Sequence, residues 1–288
     1  MAILRFLRTT LIDPLLDWRL WVMQIVGCSL LMALFSWFLH LGDAFWWQLS
    51  FSAFLGLIIG CGSLLLAGGT LNYFLDRGRD PGKPAEFSAA LRRTVRSILP
   101  LLLLAMVFYL FESWIGKLEN YQYSFPGWMR SEFPAWLRRM ISEKAVDNLY
   151  GLFIGLLTWV IVPGILLPFA QLLADLGFRG FITLRPWLRT IRRFRHWLFM
   201  LLPFVFAILI FALMDMTLNP TTATLTGEKF WLGTRLLLAF AISLAGWFIL
   251  CAGLARGRMK ADAEPTGKAA TTPEPKPVPV GAATADAK

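Results

Sequence analysis

Three ionisable side chains, Glu112, Asp215 and Arg235, fall inside long apolar runs of this 288-residue chain. A charge at membrane depth is costly to keep, so such residues mark functional positions by default. All three lie toward the same ends of their runs and at similar depth. The spacing therefore predicts a Glu112–Arg235–Asp215 cluster, serving as a structural ion pair, a gate or a solute-binding charge. A second group, Pro163, Gly164 and Pro168, sits within one apolar run. Proline removes a backbone donor and bends a helix, and broken helices bind ions in some transporters. Such transporters carry matched breaks, whereas Pro100 and Pro203 lie early in their own runs. A simple kink is the expectation. Gln171 and Asp175 follow on the same helix.

Other chemistry has little to work with. The chain contains no HExxH, GxSxG or P-loop pattern. Cys28, Cys61 and Cys251 lie in apolar runs without CxxC spacing and read as small buried hydrophobes. His40 and His196 fall at opposite ends of their runs, too far apart to share a metal ion. The sequence thus points to a chain without catalytic machinery, cofactor or metal site.

The elements that position these residues follow from the apolar runs themselves. The composition is 57% hydrophobic with a net charge of +10, and the mean hydropathy is +0.60. Too few polar residues remain to make the skin of a soluble domain. Runs of about 20 apolar residues match helices that cross a bilayer core about 30 Å thick. Six are predicted, at about 20–41, 45–69, 98–115, 149–174, 198–216 and 230–254. The fold class is an all-α polytopic membrane protein, a six-helix bundle over residues 20–255. The cations stand beside the spans, where topology requires them, so nucleic acid is excluded as a partner.

Lysines and arginines divide roughly 21 to 6 between the two sets of connections, which puts the basic set and both termini on the cytoplasmic side of the cell's inner membrane. Trp46, Trp47, Trp114 and Trp231 fall at the other interface, as aromatic belts do. The basic connections mix arginine with apolar residues at helical spacing. One is the N-terminal segment 1–19. The others carry Arg92, Arg93 and Arg96, and Arg189, Arg192 and Arg193. These read as amphipathic interfacial helices whose arginines contact anionic lipid. Leu7-Arg8-Thr9, Leu91-Arg92-Arg93-Thr94 and Leu188-Arg189-Thr190 each precede an odd-numbered span, the pattern of a threefold repeat.

Small residues at Ser52, Gly56, Gly60 and Ser63, and at Ala239, Ser243 and Gly246, predict packing seams. The long connection 116–147 carries an amphipathic stretch at 134–146, with Trp136, Leu137, Met140 and Ile141 on one side. The tail 256–288, rich in Ala, Pro, Thr and Lys, reads as disordered. The expected function is a non-enzymatic membrane component that organises lipid, or a membrane-protein partner. The alternative is a small-solute transporter or channel, which would need polar groups converging near Gln24, Ser52, Thr158 and Gln171.

Overall fold

The computed structural model describes residues 12–42, 45–80, 85–121, 124–216 and 225–263. Six helices among them are long and apolar enough to cross a membrane: Trp18–His40, Trp46–Arg79, Ile98–Glu119, Lys144–Leu176, Phe194–Asp215 and Thr226–Met259. They are called the first to sixth spans below. No strand occurs among the described residues. The bundle is an all-α polytopic membrane fold, as the apolar runs predict. Bare backbone has no hydrogen-bond partner in lipid, so each run closes its bonds internally as a helix.

The spans pair as three hairpins that pack along their length. The first meets the second where Leu66 crosses Gly27 and Leu31 crosses Gly62; a methyl built on either glycine would come within 2.7 Å of the leucine. Trp37 and Phe51 continue that contact toward the turn. The third and fourth spans share a cluster that includes Leu101, Leu104, Ile154, Leu166 and Leu173. The fifth and sixth pack with Phe206 over Gly246 and Phe199 over Gly253.

The second, fourth and sixth spans then converge at one end only, the end that carries the arginines. Burial there is continuous from 68 to 75 on the second span and from 171 to 174 on the fourth. Phe248, Cys251 and Leu254 bring the sixth into the same cluster, and Trp21 of the first span packs edge-on against Phe248 with ring centroids 5.0 Å apart. Toward the opposite end the spans splay and present leucine, phenylalanine and tryptophan outward, as lipid-facing helices do.

Several boundaries differ from expectation. The second helix continues to Arg79 instead of ending near residue 69, and the sixth span lies in a helix that runs to Ala263. Residues 256–263, expected in the tail, are therefore helical. Both extensions remain helical because their inner faces are buried against neighbouring helices; Arg258 is 5% exposed. The stretch 134–146 is not one helix. Ala135–Met140 stops, and Ser142 caps a new helix by accepting the Ala145 N–H at 3.2 Å. Trp136 and Met140 are exposed. Gly177, at φ +61°, ends the fourth span, the one position among the described residues where positive φ favours glycine.

The seam expected on the second span is also displaced. Nothing lies within 4 Å of a methyl built at Gly60, and Gly56 and Ser63 are exposed, because the first span crosses at Gly62 instead. Gly246 does serve as a contact on the sixth span. Replacing Gly62 by Leu is expected to destabilise the protein by about 1–3 kcal/mol through overpacking. Gly60→Ala should leave stability within about 0.5 kcal/mol. Thermal unfolding in detergent micelles measures both.

Candidate functional site

Where the even-numbered spans converge, their ends carry a network of charge built around Asp175. The fourth span places this carboxylate just before Gly177 breaks the helix. Its side chain is 5% exposed, and it accepts from Arg258 at 2.7 Å and from both terminal nitrogens of Arg79 at 2.8 and 2.9 Å. Arg93 lies 3.6 Å away and also holds Asp76 at 2.7 Å. Arg258 comes from the sixth span, Arg79 from the second, and Arg93 from the helix Phe87–Arg96. One acidic group therefore binds three other helices. Arg258 also donates to the Gln171 carbonyl at 3.2 Å.

A polar layer lies on the membrane side of this network. Asn72 donates to the Thr94 hydroxyl at 3.0 Å and to the Ala174 carbonyl at 2.9 Å. Thr70 shares its hydroxyl between Leu66 O and Gln24. Asn72, Thr70, Thr94, Gln24 and Gln171 are all buried. Nearer the first span, Asp17 accepts from the Tyr73 hydroxyl and from Arg77, the latter at 3.0 Å.

The two described basic helices are anchored alike. Thr94 and Thr190 are buried, and each hydroxyl donates to the carbonyl four residues back, at 3.0 and 2.9 Å. Arg93, on the helix Phe87–Arg96, turns inward to the aspartates, and Arg193, in the link between the helix Arg185–Ile191 and the fifth span, donates to the Gly257 carbonyl at 3.1 Å. Arg92, Arg96 and Arg192 are exposed and Arg189 is half-buried. The third segment of the repeat pattern, Leu7-Arg8-Thr9, lies outside the described residues, as does the tail from 264.

The outer-end charges do not assemble into a cluster. Arg235 is held by the Met214 carbonyl at 2.7 Å and by the Met216 carbonyl, capping the fifth span where the last carbonyls lack helical donors. Neither Glu112 nor Asp215 is in ion-pair contact with it among the described residues.

The proline group does something more specific than bend a helix. Leu157–Ile161 forms a π-helical turn just before Pro163, a wider winding that accommodates a missing donor. Pro168 leaves the Gly164 carbonyl, its normal acceptor four residues back, without a helical partner. His196 of the fifth span donates its Nε2–H to that carbonyl at 2.8 Å. Trp187 similarly reaches the Ile165 carbonyl at 2.9 Å. His196 is thus a structural donor between the fourth and fifth spans.

Above the polar layer, the second to sixth spans enclose an apolar chamber of about 520 Å³. Leu71, Leu104, Leu167, Ala207 and Trp247 line it, with Pro163 and Pro203 shaping two walls. The hydroxyl of Ser243, also on its wall, is already spent on the Ala239 carbonyl at 2.8 Å. Gln24 and Gln171 are not among the residues that line this space. No group of three or more potential metal ligands occurs among the described residues.

Fold and site together define a multi-pass membrane protein with a charged closure at one end and an apolar interior. Scanned against protein-family models, curated proteins and solved structures, the chain matches none of them.

The sequence signal that could have located the network is an amide followed four residues later by an aspartate at the end of an apolar run. Asn72 with Asp76 and Gln171 with Asp175 both follow it. Asp175→Ala is expected to cost on the order of 3–5 kcal/mol, since it strands a buried Arg258. Asp17→Ala, whose partner Arg77 is 40% exposed, should cost about 1 kcal/mol. Unfolding in micelles separates the two. His196→Leu should cost about 1–3 kcal/mol by leaving the Gly164 carbonyl unpaired. Adding Pro168→Ala restores a local donor, so the double variant should recover part of that loss; strictly additive losses would refute the pairing.

Proposed function

We propose that this chain is a non-catalytic membrane component that gathers anionic lipid at its basic face. It is oriented with that face and both termini toward the cytoplasm, in the cell's inner membrane. The observation that carries the reading is the division of labour among the arginines. Arg93, Arg193, Arg79 and Arg258 are spent on protein partners, and Arg93 and Arg193 tie the helix Phe87–Arg96 and the end of the helix Arg185–Ile191 to the bundle. Arg92, Arg96 and Arg192 stay exposed on those same helices, at the level where the spans end. Guanidinium groups held in fixed positions match phosphate geometry and need little further ordering to bind it.

The interior supports this reading over solute transport. A polar solute crossing the chamber would surrender its hydrogen bonds to water and find little beyond the indole N–H groups of Trp159 and Trp247 in the wall.

The test is lipid retention. Purified full-length protein, titrated with phosphatidylglycerol or phosphatidylcholine in mild detergent and read by native mass spectrometry, should hold phosphatidylglycerol preferentially. Each exposed arginine is worth about 1 kcal/mol against an anionic surface. The triple variant R92Q/R96Q/R192Q should therefore weaken that preference by up to about 100-fold. Equal retention of both lipids by the unaltered protein, or solute flux in liposomes above the protein-free rate, would overturn the reading.

A further inference from the structure

The apolar chamber has a direction. At its basic end it stops against the buried layer of Thr70, Asn72 and Gln171 and the charges behind it. At its other end the wall is formed by Phe108, Trp159 and Phe211, which are 40%, 40% and 63% exposed on spans that face lipid. No charged side chain lines the chamber. Its interior is therefore continuous with bilayer hydrocarbon at one end and sealed by polar groups at the other.

Its length can be read from the wall. On the fourth span the lining runs from Trp159 to Ala170, about 17 Å at 1.5 Å per residue. An extended tetrahedral chain advances about 1.2 Å per bond, as an extended peptide does over its three bonds per residue. The chamber thus accepts about 14 bonds of an unbranched chain. The only side-chain hydrogen-bonding groups on the lining are the Ser243 hydroxyl, already bonded to Ala239, and the indole N–H groups of Trp159 and Trp247, which gives little purchase to a polar ligand.

The geometry points to a binding site for one acyl chain of a bilayer phospholipid. The chain enters past Phe108, Trp159 and Phe211, and its methyl end lies against the polar layer. The headgroup stays outside the bundle, on the side away from the arginines. The site is distinct from the basic face and does not depend on which headgroup that face prefers. Association gains nothing from leaving water, because the chain passes from hydrocarbon to hydrocarbon. Shape decides it instead, through contacts with walls bent by Pro163 and Pro203.

The experiment uses the full chain in vesicles of phosphatidylcholine alone, a fraction of which carries a diazirine at the methyl end of one acyl chain. After irradiation, adducts are mapped by mass spectrometry. Leu71, Leu104 and Ala207 should be labelled. A207W, which fills the chamber, should lower their labelling at least tenfold while leaving that of Val26 and Leu30 on the first span unchanged. A105F fills the same space from the third span and gives the same readout should A207W fail to fold. Four results would overturn the assignment. Chamber positions label no more than the enclosed Leu172 and Phe248, or neither variant changes the pattern, or A207C reacts with a membrane-impermeant maleimide from water. Labelling by a free diazirine fatty acid but not by the phospholipid would equally reject the phospholipid as occupant. Because these vesicles contain no anionic lipid, failure here leaves the basic-face reading untouched, and the reverse also holds.

Discussion

The carboxylate of Asp175 is held by Arg258, Arg79 and Arg93, and through them it joins the fourth span to the sixth, the second and the basic helix between the second and third. Helices in lipid are not driven together by the hydrophobic effect, because their surroundings are as apolar as their side chains. What remains is close packing and polar contact. Close packing occurs within the hairpins, at the Gly62 and Gly246 crossings, and also between them, where Trp197 lies over Gly164 and Leu101 over Gly68. The polar contacts are concentrated at the converging end. The charge network adds directional contacts to the apolar packing that joins the hairpins around Phe248. The cost of burying it is moderated by position. Only Asp175 and Arg258 are deeply enclosed, while Arg79 and Arg93 remain about two-fifths exposed, so each ion pair keeps access to a wet boundary.

Much of this was legible in the residues. Runs of about 20 apolar residues have one solution in lipid, and the six spans follow directly. Helix ends were harder. The extension of the second helix through Thr70-Leu71-Asn72-Tyr73 looks like the onset of a loop, since polar residues interrupt the run. Its helicity depends on Thr94, Ala174 and Gln24 as partners, none of which is near in sequence. The same limit applied to the site. Glu112, Asp215 and Arg235 stood out because they interrupt apolar runs, yet Arg235 satisfies itself on backbone carbonyls. Asp76 and Asp17 attract no notice in sequence because they sit at span ends, where charge is ordinary. The π-turn before Pro163 and the service of His196 to Gly164 require knowing which span lies alongside. The two described arginine-rich helices, by contrast, were visible from spacing, and the structure adds that Arg93 of the first and Arg193 just after the second turn inward.

The molecule thus separates two kinds of environment that a membrane protein must reconcile. Polar groups are collected and enclosed at one end, most of them paired, although Asn72 Oδ1 and Gln171 Nε2 make no hydrogen bond, and the interior beyond them is lined by apolar side chains. His196 and Arg235 follow the same economy, each placed where a helix lacks a backbone donor.

The lengths of the helices carry a further consequence. The first, third and fifth spans have 23, 22 and 22 residues, about 33–35 Å at 1.5 Å per residue, close to the hydrocarbon thickness of a bilayer. The second has 34 residues, about 51 Å, and its surplus lies at the basic end. The odd helices therefore gauge the bilayer while the second and sixth reach past it, and the fourth stops at Leu176, where Gly177 meets Ser97 at the start of the third. A thicker or thinner membrane would be met by tilting of the odd helices, with the arginine–aspartate collar standing in the headgroup zone and retaining its internal geometry.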